Sequence, residues 1–131
     1  MIHSRNTILG VEPGGSGPRS KLIGTVGFSF TSMGDVAGGA PRFSIPIDDG
    51  LGTADLYAFL DAANCGRTSG GTTVVSTSLA NCTVFPNNGP SFGNWAAFAA
   101  ADPTYRIRAG GIPFIISDQP GTYIVSNIVL R

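Results

Sequence analysis

The sequence predicts an all-β fold: a β-sandwich of jelly-roll type with about eight strands, one short helix and an extended N-terminal arm. Three observations lead there. Short runs of β-branched and aromatic residues recur between turn signals from Leu22 to Leu130, as a sandwich requires. The clearest run, Arg42-Phe43-Ser44-Ile45-Pro46-Ile47, alternates strictly. Its Phe43, Ile45 and Ile47 therefore share one face, and Arg42, Ser44 and Pro46 the other. Finally, residues 1–20 are rich in Gly and Pro, with Gly14-Gly15-Ser16-Gly17-Pro18 at their centre, a composition that does not fold alone.

The chain divides into an arm, residues 1–20, and a sandwich domain, residues 21–131, with the boundary near Ser20. The large apolar groups of the arm are Ile2, Ile8, Leu9 and Val11. Ordering each residue costs about 1–2 kcal/mol, more than these groups repay on the domain's own surface. The arm is therefore expected on a partner surface, another copy or a different protein. Ile8, Leu9 and Val11 would anchor it by strand addition, with Arg5 and Arg19 flanking in charge-assisted bonds.

The first strand of the domain is expected within Leu22–Ser32, where Val26, Phe28 and Phe30 alternate and Gly24 and Gly27 mark a bend or bulge. Pro46 cannot donate to a ladder, which predicts an edge strand or one beside a bulge for Arg42–Ile47. Further strands are expected at Leu56–Leu60, Thr72–Thr77, Thr83–Phe85, Tyr105–Arg108, Pro113–Ser117 and Thr122–Leu130. The long first and last runs are expected to pair. Leu56, Phe59, Leu60 and Ala63 also have helical spacing, but the turn residues on both sides favour a strand. The helix is expected over Asn94–Ala101, with Asn94 as N-cap and Asp102-Pro103 as the stop. Two turns do not persist in water, so Trp95 and Phe98 must pack on the sheet.

Cys65 and Cys82 both lie beside turn residues. A disulfide between them closes a loop of 16 intervening residues, worth about 3 kcal/mol in the loop-entropy model, and implies an oxidising environment. The alternative is two buried thiols.

Charged residues make up 12% of the chain and the formal net charge is zero, against an average charged fraction of roughly 25%. Ser, Thr, Asn and Gly must then cover the exterior, or an assembly must bury part of it. Seven of the eight cations are Arg, spread from Arg5 to Arg131 without a basic run, so no electrostatic footprint for nucleic acid exists. No stretch reaches the length of a membrane span, and the N-terminus lacks the apolar core of a signal peptide.

Catalysis is not expected. The single His is His3, in the arm, and the single Lys is Lys21 at its end, so neither a triad nor a buried Ser–Lys pair can be assembled. Half of the carboxylates, Glu12, Asp35, Asp49 and Asp102, stand beside Gly or Pro, where Asp commonly shapes turns. The best metal candidate is the acidic turn with Asp48, Asp49 and Asp55, which offers oxygen ligands for a structural Ca2+ but lacks the EF-hand pattern. No other cofactor is expected. Tyr57, Trp95, Tyr105 and Tyr123 are the candidates for a carbohydrate platform, since flat rings with polar tips stack on sugars.

The opening run Val26-Gly27-Phe28-Ser29-Phe30 and the closing run Thr122-Tyr123-Ile124-Val125-Ser126-Asn127-Ile128-Val129-Leu130 resemble the layout of jelly-roll surface modules. Two groups share it: the decoration or cement proteins on bacteriophage heads, and carbohydrate-binding modules of secreted enzymes. The extended arm is similar to that of the decoration proteins. The resemblance implies a structural protein of a virion surface whose partners are the capsid protein and neighbouring copies. The alternative is an extracellular sugar-binding module. No functional residue carries over from either group.

Overall fold

A computed structural model describes residues 2–3, 8–10, 20–34, 41–65, 72–109, 113–116 and 122–131. Among the described residues the domain carries the expected eight strands in two sheets, packed as an open β-sandwich with one helix. These are β3 (Phe28–Gly34), β4 (Arg42–Asp48), β5 (Tyr57–Asp61), β6 (Thr72–Ser76), β7 (Val84–Pro86), β8 (Arg106–Ile107), β9 (Phe114–Ile116) and β10 (Thr122–Leu130). Two short strands precede them, β1 (Ile2–His3) and β2 (Ile8–Gly10).

The smaller sheet has the order β1-β10-β3-β6; the larger runs β2-β9-β4-β5-β7, with β8 also paired to β4. All the pairings are antiparallel. The first and last long strands pair as expected, and beyond them Gly27 and Arg131 exchange backbone hydrogen bonds of 3.2 and 2.9 Å. The β3–β10 register shifts between Ser126 and Val129. Asn127 lies there at φ 53, a left-handed conformation that Asn tolerates and a bulge needs.

Rings from both sheets meet in the core. Phe28 and Phe30 of β3 lie 5.9 and 5.1 Å from Phe43 of β4. Ile45, Ile47, Leu60, Val75, Val84, Ile107 and Ile115 are also buried. The inward row of β4 is the one the alternation assigns. Each large side chain so buried is worth about 1.5–3 kcal/mol, which is what holds the two layers together.

The helix, α1 (Trp95–Ala101), begins as expected: the Asn94 Oδ1 accepts from the Ala97 N–H at 2.8 Å. Trp95 and Phe98 are its buried residues. The Trp95 indole packs edge-on against Phe28 and donates through Nε1 to the Ile23 carbonyl at 2.8 Å. That bond satisfies the only polar atom of a ring placed in the core.

Three expectations are corrected. The run from Leu22 opens with a 3-10 turn at Ile23–Thr25, and the strand starts only at Phe28. β4 is no edge strand: it lies between β9 and β5. Its Pro46 is accommodated because Ile47 N–H points to β5, bonding Leu56 O at 2.9 Å, so the neighbouring Pro46 nitrogen faces the opposite side. There β9 pairing ends at Ser44 and β8 pairing begins at Ile47, leaving a gap that needs no donor. Finally, two pieces of the arm pair within the chain: Ile2 and His3 with Tyr123 and Thr122, and Ile8, Leu9 and Gly10 with Ile116, Ile115 and Phe114. Each takes the place beside a strand that otherwise ends its sheet, so backbone pairing supplies what the sparse apolar groups do not.

Candidate functional site

The two sheets present different chemistry to the outside. On the smaller sheet the outward row is rich in hydroxyls: Ser29 and Thr31 of β3, Thr72 and Ser76 of β6 and Ser126 of β10 share it with Val74. Its largest apolar members, Met33 and Ile124, stand opposite each other, 46% and 48% exposed. This is the uncharged exterior that the composition requires.

The outer face of the larger sheet is aromatic. Register places Phe114, Ser44, Phe59 and Phe85 in one row across β9, β4, β5 and β7. The next position along β4 and β5 pairs Pro46 with Tyr57, and on the other side Ile116, Arg42 and Asp61 stand in line. Tyr57, Phe59, Phe85, Phe114 and Ile116 are half-buried. Tyr57 lies 6.1 Å from Phe59, planes 14° apart, and 5.9 Å from Phe114, edge to face. These side chains face outward because Leu56, Ala58, Leu60 and Ile115, the residues between and beside them, point into the core. Such a pattern makes β9 and most of β5 apolar on both faces, which a two-layer sandwich does not need.

Two guanidinium groups lie on these rings. Arg42 Cζ is 4.2 Å from the Phe59 centroid, and Arg108 Cζ is 5.0 Å from that of Tyr57. Arg108 is fixed by donating to the Ile47 and Leu56 carbonyls. Each such stack is worth about 0.5–1 kcal/mol when exposed and ~2 kcal/mol or more when water is removed. At the foot of the row the Ser44 Oγ is buried with no hydrogen-bond partner among the described residues. Flat aromatic area, guanidinium groups and little free charge form the composition of a protein-binding surface core.

The acidic turn is organised around its own backbone. The Gly50 N–H donates to Asp48 Oδ1 and the Leu51 N–H to Asp49 Oδ1, each at 2.8 Å, and Thr53 Oγ1 donates to Asp49 Oδ2. Gly50 and Gly52 turn the chain at φ 80 and 73, values that favour glycine. The Thr53 hydroxyl, then the Leu51 N–H, hold the Asp49 carboxyl below its ordinary value of 3.8. Asp48 and Asp55 line a shallow cleft together with Arg108. Among the described residues no three His, Cys, Asp or Glu side chains gather as a metal site.

The four rings considered for sugar stacking are not assembled together. Tyr57 is on the aromatic face, but Trp95 is 3% exposed in the core. Tyr105 packs edge-on against Phe98, its hydroxyl accepting from Asn88 Nδ2 at 3.3 Å. The backbone of Tyr123 pairs with Ile2 and Gly34, and its side chain lies outside the described residues. Of the arm positions, Ile8 and Leu9 are in β2, whereas Arg5, Val11 and Arg19 lie outside the described residues. Cys65 and Cys82 are disulfide-bonded. Among the described residues no helix is long and apolar enough to cross a membrane.

Sequence reasoning overlooked Phe59, Phe85, Phe114 and Arg108 as surface residues, and it placed Arg42 on the outward face of its strand without giving it a role. A signal was present: Tyr57/Phe59 and Phe114/Ile116 each alternate with core residues, so both parities of these strands are apolar. Comparison with family models, with curated proteins and with solved structures finds no match for this chain.

Proposed function

We propose that this protein is a non-enzymatic structural component of a virion surface, a capsid decoration protein that attaches through the outer face of its larger sheet and its N-terminal arm. The observation that carries this reading is the aromatic row Phe114–Ser44–Phe59–Phe85 with Arg42 and Arg108 on its neighbours. A sandwich that functions alone has no use for such a face, whereas a protein partner covering it removes water from both guanidinium–ring stacks and strengthens them. β2, with Ile8 and Leu9, lies at the margin of the same sheet, beside the surface offered to the capsid or a neighbouring copy. The disulfide suits a protein that works in an oxidising environment.

A sugar-binding module is the weaker alternative, because Arg42 and Arg108 already occupy ring faces that a sugar would need. A catalytic role is disfavoured by the single His and by acidic-turn carboxylates that bond backbone N–H groups.

The test is attachment to particles stripped of the protein. Phe59→Glu puts a charge on the outer row without entering the core. It is expected to weaken attachment at least tenfold while the melting temperature stays close to that of the parent. Undiminished attachment by a folded Phe59→Glu variant would overturn the reading, and retention on an immobilised polysaccharide panel would replace it with the sugar-binding one.

A further inference from the structure

We infer that Asn88 is a self-modifying site: its side-chain amide condenses with the backbone nitrogen of Gly89, releases ammonia and is hydrolysed by water to aspartate and isoaspartate. Asparagine is a chemically labile residue, and the residue after it decides how labile. Of the seven asparagines in the chain, Asn88 alone is followed by glycine. A Cβ on the following residue crowds the nitrogen that must attack. At Gly89 the direction a Cβ would take meets nothing within 4 Å, and both residues are exposed.

The turn is clamped up to Asn87 and open beyond it. Asn87 N–H bonds the Tyr57 carbonyl at 3.0 Å, its Oδ1 accepts from the Tyr57 N–H at 3.1 Å, and its Nδ2 donates to the Asp55 carbonyl at 2.8 Å. The next backbone bonds are the pair between Phe92 and Val84. Between these anchors the Gly89 N–H has no acceptor among the described residues. The Asn88 side chain makes one hydrogen bond there, from Nδ2 to the Tyr105 hydroxyl at 3.3 Å, long for an N–H···O bond. A segment this exposed and this little bonded rearranges at small cost, which lets Cγ reach the nitrogen. Asp49-Gly50 has the same two-residue pattern, and there the structure closes it off. The Gly50 N–H bonds Asp48 Oδ1, while the Asp49 carboxylate accepts from the Leu51 N–H and the Thr53 hydroxyl. Nitrogen and carboxyl are both occupied in that turn, and both are accessible in the other.

The Gly89 nitrogen gives up its proton and bonds to Asn88 Cγ, closing a succinimide ring. The Cγ–Nδ2 bond breaks, and Nδ2 leaves as ammonia with that proton. Water then opens the ring at either carbonyl. Opening at Cγ leaves aspartate; opening at the main-chain carbonyl leaves isoaspartate, with a further methylene in the backbone. Nothing is oxidised or reduced, and water is the co-reactant. Either product adds a negative charge to a chain whose formal net charge is zero. The charge stands in a cleft lined also by Asp102 and Tyr105. There the Tyr105 hydroxyl, an acceptor from the amide, becomes a donor to the carboxylate. The inference is independent of the virion reading and of the aromatic face.

The experiment incubates the intact protein in mildly alkaline buffer, well below its melting temperature, and maps its peptides by mass and isoaspartate content. Gly89→Ala is treated in parallel, and the parent in denaturant is the unrestrained reference. The mass gain of an amide-to-acid conversion is expected in the peptide that holds Asn88, at a rate close to that of the unfolded chain. Asp49 is expected to isomerise only in denaturant. Gly89→Ala is expected to slow the conversion at least tenfold with melting unchanged, because Gly89 has no left-handed φ and the added Cβ has room. Conversion at Asn88 at least tenfold slower in the folded parent than in denaturant would overturn the inference. So would a folded Gly89→Ala that converts as fast as the parent, or a folded parent in which Asp49 or another asparagine reacts as fast as Asn88.

Discussion

Removing the Cys65–Cys82 bond is predicted to destabilise the protein by loosening the passage between its two sheets. Cys65 follows β5 through the 3-10 turn Ala62–Asn64, and Cys82 precedes β7. β5 and β7 are paired in the larger sheet, and Thr83 N–H bonds Asn64 O at 3.0 Å beside the bond. The chain between the two cysteines leaves that sheet, supplies β6 to the other one and returns. The bond therefore closes a loop, of sequence separation 17, that crosses the sandwich. The loop-entropy model gives about 3 kcal/mol for a closure of that size. At roughly 4 °C per kcal/mol for a domain of this length, melting falls by about 12 °C. Cys65 and Cys82 are buried, 6% and 0% exposed, so alanine is the right replacement. Serine would add a buried hydroxyl costing about 1–3 kcal/mol of its own. The assay is thermal melting of the parent with and without reductant, and of Cys65→Ala/Cys82→Ala. Reductant should lower the parent's melting to near that of the double variant and leave the variant unmoved. Amide exchange should quicken first in Thr72–Ser76. A parent whose intact mass and melting are both indifferent to reductant refutes the reasoning.

Three further outcomes follow from the hydrogen bonding. Trp95→Phe removes the donor to the Ile23 carbonyl and leaves that buried acceptor unpaired; a loss of about 1–3 kcal/mol is expected, and an unchanged denaturant midpoint counts against the role given to the indole. Asp49, held below its ordinary 3.8 by the Thr53 hydroxyl and the Leu51 N–H, is stabilising above that value. The contribution disappears as pH falls through the lowered one. Carboxyl titration by NMR should show the midpoint rising towards 3.8 in Thr53→Val. Calcium should leave the parent's melting unchanged; a calcium-dependent rise, or an unmoved midpoint, contradicts a turn organised around its own backbone.

The sequence by itself determined the elements. Alternation in Arg42–Ile47 assigns the right side chains to the core, because a strand has only two faces and one must be dry. Asn94 and Asp102-Pro103 bracket the helix, because capping and chain-stopping are local chemistry. The turn context of Cys65 and Cys82 pointed to the bond that is present. Tertiary structure decided what depends on neighbours. Pro46 argues for an edge strand only if a donor is wanted on that side, and the gap between β8 and β9 removes the want. The arm's few apolar groups argue against packing on the domain, but the strands it lies beside, β9 and β10, supply backbone pairing that no residue count reveals. Tyr57, Phe59, Phe85 and Phe114 come from three separate strands. They become a surface only when register aligns them, and register belongs to the paired sheet, not to any one strand.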